Sequence, residues 1–213
     1  MLFLSLSAAE IVALAIALIV GITFHEFMHA FVADQLGDAR PRAMGRVSLN
    51  PAAHIDPMGA LFFIIAGFGW GRPVMVNQYA LRPGRIGMAY VAAAGPLANL
   101  FVAAIAGIVF RLVDLAAPSG SVGEFAIQLL ASLVFFNVAL GLFNLLPIPP
   151  LDGYNLVLPF LPLRTALTVQ RYAGYGMLVL LVIILLPRLG GGISPLSWLF
   201  DLASGITGVL TGA

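Results

Sequence analysis

His25, Glu26 and His29 stand in the stretch TFHEFMHAF, residues 23 to 31, inside a run that is otherwise Ile, Leu, Ala, Val and Phe. Residues four apart on an α-helix share a face, so the two imidazoles can converge on one metal ion. Glu26, next to the first of them, would then stand within reach of a water at that metal and could take its proton. The H-E-x-x-H spacing suits zinc-dependent hydrolysis, in which a third protein ligand leaves one coordination position open. In a soluble helix the same spacing could be no more than a solvated surface. In an apolar helix, three ionisable groups with no task would cost free energy for nothing in return.

A third ligand has few sources. The one remaining histidine is His54, in HIDPMG, and there is no cysteine, which excludes a thiolate site, a thiol nucleophile and disulfides. Asp34, Asp38, Asp114 and Glu124 fall beside expected helix ends, Glu10 begins the first helix and Asp201 lies in a weak terminal segment. Asp152 differs, because it follows a long apolar helix in FNLLPIPPLDGYN, on the same expected face as the histidines. Pro147, Pro149 and Pro150 would unwind the chain there and let the carboxylate turn inward. Asp152 is therefore the expected third ligand, against the plainer reading of an Asp-Gly turn.

The elements that must position these groups are membrane elements. Hydrophobic residues make up 61% of the 213 and charged residues 9%, with a mean hydropathy of +1.05, so the chain reads as one all-α polytopic membrane bundle, residues 1–213, in a lipid bilayer. A net charge of +1 with no basic run argues against a nucleic-acid partner. The N-terminus lacks the basic region and cleavage site of a signal peptide, so its first apolar run is expected to be kept. That first helix is expected at about Ser7 to Ala33, with further apolar runs at about 86–110, 125–147, 167–187 and 195–211, the last one weak. Leu61 to Gly69 is too short to cross and is expected to dip and return, as a re-entrant or strand-like element. Segments 40–50 and 70–80 are expected to form strands, a short membrane-associated β-hairpin whose edge could take an extended substrate and whose Val74 and Val76 would clamp it. Small residues in AAAGPLANLFVAAIAG, among them Ala94, Gly95 and Ala98, would allow close helix approach.

There is no Lys, so orientation rests on Arg. Arg40, Arg42, Arg46, Arg72, Arg82, Arg85 and Arg164 fall on one side and Arg111 and Arg188 on the other, which makes the first group cytoplasmic. The His-Glu cluster then lies toward the cytoplasmic side.

FHEFMHA in the first long helix and NLLPIPPLDG after a later one resemble the site-2 protease family of intramembrane zinc metalloproteases, with further similarity in NPAAHIDPMG, GWGRPVMVN and AAGPLAN. The resemblance spans most of residues 20 to 155. It implies a three-helix catalytic core within about 7–155, in which His25, His29 and Asp152 bind one zinc ion and Glu26 activates water, followed by additional helices over about 156–213. It also implies a minimal member without appended PDZ or CBS modules, in a prokaryotic plasma membrane, acting on single-span transmembrane proteins. Asn144 stands where the family's Asp-Gly motif opens, which implies a substrate-backbone or oxyanion contact; a helix-helix hydrogen bond is the alternative. Asn137, seven residues earlier, fits that packing reading better. The family pattern puts His54 in the loop before the dipping segment, where loop hydrogen bonding or shaping of substrate entry fits better than ligation. Two further functions stay open: a metal-ion transporter, which would more naturally spread ionisable groups over successive depths, and a non-proteolytic relative that binds membrane proteins. The oligomeric state has no signature in the sequence.

Overall fold

The computed structural model describes residues 6–59, 69–82, 84–189 and 194–212. The first helix, α1 (Ala8–Gln35), starts at a reciprocal cap: the Ser7 hydroxyl accepts from the Glu10 amide at 3.2 Å and the Glu10 carboxylate accepts from the Ser7 amide at 2.6 Å. It stops where Gly37 takes φ +113, a conformation open to glycine. A short helix, α2 (Arg40–Ala43), follows. Gly84, at φ +60, leads into α3 (Arg85–Leu115), and α4 (Gly120–Asn144) returns after a four-residue turn at 116–119. The chain then runs through the proline-rich turn 145–151 into α5 (Asp152–Val157), α6 (Leu163–Tyr172), α7 (Gly176–Leu185) and α8 (Ser197–Thr211).

Among the described residues four segments are long and apolar enough to cross a membrane: α1, α3, α4, and the run Leu163–Leu185 made of α6, a single 3₁₀ turn and α7. Helix α8, with 15 residues, falls short of the roughly 20 that a span needs. The four spans are those expected from the apolar runs, with ends shifted by a few residues.

Helices α1, α3 and α4 pack against one another, α8 lies on α3 and α4, and α5 lies on α3. The core is built of small and β-branched side chains, Ala103, Ala106, Val134, Val138, Ala139 and Ala203, so the backbones come close. At Gly141 a Cβ would sit 3.2 Å from the Pro96 carbonyl, which marks a close approach of α3 and α4. Large apolar side chains such as Leu97, Phe101, Ile105 and Leu112 project outward from α3, as expected of a face turned to lipid.

The expected β-hairpin does not form among the described residues. Segment 40–50 folds as α2 with Pro41 in its first turn, where a proline ring already holds the helical φ, and then turns at Gly45. Segment 70–80 runs without a ladder, held by one isolated antiparallel bridge between Gly71 and Ile55. Pro73 has no amide to donate, and the carbonyls of Arg72 and Pro73 are taken by the Arg46 guanidinium instead of a neighbouring strand. Of the expected dipping segment 61–69, residues 61–68 lie outside the described residues.

Candidate metal and catalytic site

His25 and His29 stand one helical turn apart on the buried face of α1, and Asp152 comes to them from the first turn of α5. Two local features return the carboxylate to this depth. The prolines after Leu146 end α4, and Gly153 then lets the chain press back on it: a Cβ at 153 would stand 2.1 Å from the Leu145 carbonyl, so no larger residue fits.

The Nε2 atoms of His25 and His29 are 3.0 Å apart, and Asp152 Oδ2 lies 3.0 Å from the first and 3.2 Å from the second. These separations are close to the roughly 3.3 Å edge of a tetrahedron around a zinc ion bonded at about 2.0–2.1 Å. Nothing else among the described residues groups three such donors.

The far nitrogens of both imidazoles are anchored. His29 Nδ1 donates to the Val91 carbonyl at 2.7 Å. His25 Nδ1 meets Asn99 Oδ1 at 2.6 Å, and the Asn99 amide nitrogen donates to the Gly21 carbonyl and to Asn137 Oδ1, both at 3.0 Å. With its nitrogen committed as donor, the Asn99 oxygen must accept, so His25 carries its proton on Nδ1 and leaves the Nε2 lone pair for the candidate metal position it shares with His29 and Asp152. Asn137 completes the relay by donating to the Leu133 carbonyl at 2.9 Å. Asn99 and Asn137 are both fully buried.

Gly95 makes room for this arrangement. A Cβ there would lie 2.4 Å from His29 Nε2 and 2.7 Å from His25 Cε1, so any side chain would occupy the place of the imidazoles. The small residues of this stretch thus serve the site as well as helix packing.

Glu26 points toward the strap formed by residues 71–82. A Cβ at Gly71 would stand 3.2 Å from Glu26 Oε1 and 3.3 Å from the His54 carbonyl, so glycine lets the strap backbone lie directly on the carboxylate. The strap is pinned at both ends. Arg72 donates its amide to the His54 carbonyl at 2.7 Å, while Asp38 accepts the Asn77 amide and Leu36 accepts that of Arg82 at 2.9 Å. Between these pins no backbone hydrogen bond involves Val74, Met75 or Val76 among the described residues.

The remaining expected residues are placed less directly. His54 is fully buried outside the metal group and donates from Nε2 to the Ser48 carbonyl at 2.6 Å, which is a loop-fixing bond. Asn144 donates to the Leu140 carbonyl of its own helix at 2.9 Å and makes no cross-helix hydrogen bond among the described residues. Val76 packs inward against Ala33, Leu81 and Val91, and Val74 is half-buried. Sequence reasoning assigned no role to Asn99 and used Arg46 only for orientation. A lone amide in the apolar run AAGPLANLF was the signal for the first, since such a group needs a partner at that depth; Arg46 had none to separate it from its neighbours.

The model of peptidase family M50 matches residues 112–187. Over 180 residues the chain is 38% identical to the protein named "Putative zinc metalloprotease YwhC" of Bacillus subtilis (strain 168), an alignment covering 82% of this chain and 80% of that one. It is 33% identical over 202 residues to "Putative zinc metalloprotease Rip2" of Mycobacterium tuberculosis (strain H37Rv), covering 92% and 75%. The Rip2 protein of Mycolicibacterium smegmatis is 32% identical over 205 residues, with the same two coverages of 92% and 75%. No solved structure matches the chain.

Proposed function

The chain belongs to the site-2 protease family of membrane zinc metalloproteases, peptidase family M50, and from that membership we propose that it is an intramembrane endopeptidase cutting single-span proteins near the cytoplasmic face. The observation that carries the proposal is the convergence of His25, His29 and Asp152 on one point, with Glu26 on the same helix and facing the strap.

In this reading His25, His29 and Asp152 would hold zinc, the three being the protein's part of a catalytic core made by α1, α3 and the α4–α5 turn. When bound, the ion supplies a Lewis acid that polarises the scissile carbonyl and lowers the pKa of water. Glu26 takes the proton of the attacking water and delivers it to the departing amine nitrogen. Asn99, Asn137 and the Val91 carbonyl keep the imidazoles oriented throughout, and the surrounding apolar helices limit the water that reaches them.

A transmembrane helix presents carbonyls already hydrogen-bonded within itself, so the substrate must unwind to be cut. The unpaired backbone at Val74–Val76 offers it replacement hydrogen bonds by strand addition, a few residues from Gly71 and Glu26. Asn144 serves the substrate only by exchanging its bond to Leu140 for one to the substrate backbone, while His54 shapes the approach indirectly by fixing the loop beneath the strap. The Arg asymmetry supports a strap, and so a cut, on the cytoplasmic side, and the bacterial relatives suit a prokaryotic plasma membrane.

The test pairs metal analysis of the purified protein with cleavage of a model membrane substrate for the wild type, Glu26→Gln and Asp152→Ala. Glu26→Gln should keep the metal and lose cleavage by about 10²-fold or more, and Asp152→Ala should lose metal. A wild type that binds metal but cuts nothing, with Glu26→Gln indistinguishable from it, would sink the protease reading in favour of metal handling.

A further inference from the structure

Arg46 lies outside the spans, is 3% exposed, and makes no ion pair with any carboxylate within bonding distance among the described residues. A buried guanidinium demands hydrogen bonds for its N–H groups; here backbone carbonyls supply three, all to the two terminal nitrogens, while Nε has no partner among the described residues. Nη1 donates to the Ala53 carbonyl; Nη2 donates to the Arg72 carbonyl and, at 2.7 Å, to that of Pro73. Ala53 belongs to the turn that carries His54, and Arg72 and Pro73 open the strap. One side chain therefore ties together two segments that are 19 and 20 residues apart in sequence (72 − 53 and 73 − 53), alongside the isolated Ile55–Gly71 bridge in which the Arg72 amide bonds the His54 carbonyl.

What this tie holds in place bears on the site. The residue before Arg72 is Gly71, whose backbone rests on the Glu26 carboxylate, and the residues after Pro73 are the unpaired Val74–Val76. Glu26 is near enough for its charge to act on the Arg46 guanidinium, offsetting part of the burial that draws the arginine down from its ordinary value. A cation at this spot could in principle act by charge alone. The planar fork aimed at two strap carbonyls argues for geometry, because a lysine would carry the same charge without reaching three acceptors.

The geometry points to Arg46 as a positioning residue that clamps the 71–73 segment onto the 48–54 loop, so that Gly71 stays on Glu26 and Val74–Val76 is presented at a fixed height to an incoming chain. Its effect on strap order follows from the fold alone, and its effect on substrate capture rests on the protease reading above. The role is not that of a catalytic group, since Arg46 works through the strap backbone.

The experiment compares the wild type with Arg46→Lys and Arg46→Gln in detergent or lipid, by zinc content, hydrogen exchange of peptides covering 69–77 and of the α1 and α3 segments, and steady-state cleavage of a membrane substrate. Both variants should retain zinc and the slow exchange of α1 and α3, while the strap amide of Arg72 exchanges roughly tenfold faster and KM rises by about as much with a smaller change in kcat. The lysine should not rescue. Strap exchange unchanged in Arg46→Gln would overturn the clamp. Wild-type behaviour of Arg46→Lys in exchange and kinetics would overturn it in favour of a charge effect. Loss of protection across α1 and α3 in both variants would overturn it too, by making Arg46 a general requirement of folding. Strap exchange and zinc are read without any cleavage, so a protein that cuts nothing would sink the protease reading while leaving the strap measurement decisive.

Discussion

The imidazole of His25 donates its Nδ1–H to Asn99 Oδ1 across 2.6 Å, and the Asn99 side chain is fixed with that oxygen as acceptor because its amide nitrogen donates to Gly21 and Asn137. A group on α3, supported by a group on α4, thereby decides which nitrogen of an α1 histidine faces the metal position.

Asn99→Ala should weaken zinc binding by about 10- to 100-fold, the usual effect of removing the partner that orients a metal-ligating histidine. Titration of apo-protein with zinc against a competing chelator checks this. Asn137→Ala should do less, because Asn99 would keep its bond to the Gly21 carbonyl. Equal zinc affinity in Asn99→Ala and the wild type would show that the α1 helix alone orients His25.

Gly95→Ala adds a single methyl group, yet that methyl would stand 2.4 Å from His29 Nε2. The imidazoles or the α1–α3 contact must give way, at roughly 1–3 kcal/mol if the helices part and at the expense of zinc if the rings move. Zinc content and thermal stability measured together separate the two. Full zinc and an unchanged Tm would contradict the close approach.

Val74→Pro removes one backbone donor from the unpaired stretch of the strap. Cleavage should fall about fivefold to tenfold, the worth of roughly one hydrogen bond to substrate, with zinc content unchanged. Val74 is a cleaner probe than Val76, whose side chain also packs against Ala33 and Val91. Undiminished turnover in Val74→Pro would mean the substrate does not pair here.

The strap's far end is held by Asp38, which is 1% exposed and accepts the Asn77 amide and, bidentately, the Arg40 guanidinium. Burial by itself would raise its carboxyl, but the bonds from Arg40 and Asn77 outweigh that and leave it below the ordinary 3.8. A carboxyl with a lowered folded value stabilises the fold above its unfolded value and loses that contribution as pH falls toward the folded one. Thermal stability of the wild type should therefore decline on acidification through that window, and Asp38→Asn should be less stable at neutral pH with a shallower acid decline. Parallel pH profiles for the two would exclude Asp38 as the source.

Much of this was readable along the chain because it depends on local chemistry. Apolar runs of about 20 residues have one stable use in a bilayer, which is why α1, α3, α4 and the α6–α7 run were expected near where they lie. His25 and His29 share a face by helical period alone, and the prolines after Leu146 announced that the chain would break and free Asp152.

Whether segments 40–50 and 70–80 would pair could not be read that way. Both have strand-like composition, but pairing is a contest for carbonyls, and the winner was a guanidinium on one of the two segments themselves: Arg46 takes those of Arg72 and Pro73. The same holds for Asn99, Asn137 and Gly95, which look in sequence like packing residues of two apolar helices. Their roles come from which side chain lies opposite, and that depends on how α1, α3 and α4 rotate against one another. Sequence by itself determined a membrane bundle carrying a candidate two-histidine, one-carboxylate metal site with a glutamate beside it, because residue type, helical period and bilayer thickness suffice to bring those residues forward as candidates. Tertiary structure alone decided the tautomer of His25, the space at Gly95 and the strap over Glu26, because each arises where segments distant in sequence compete for the same few hydrogen bonds and the same small volume.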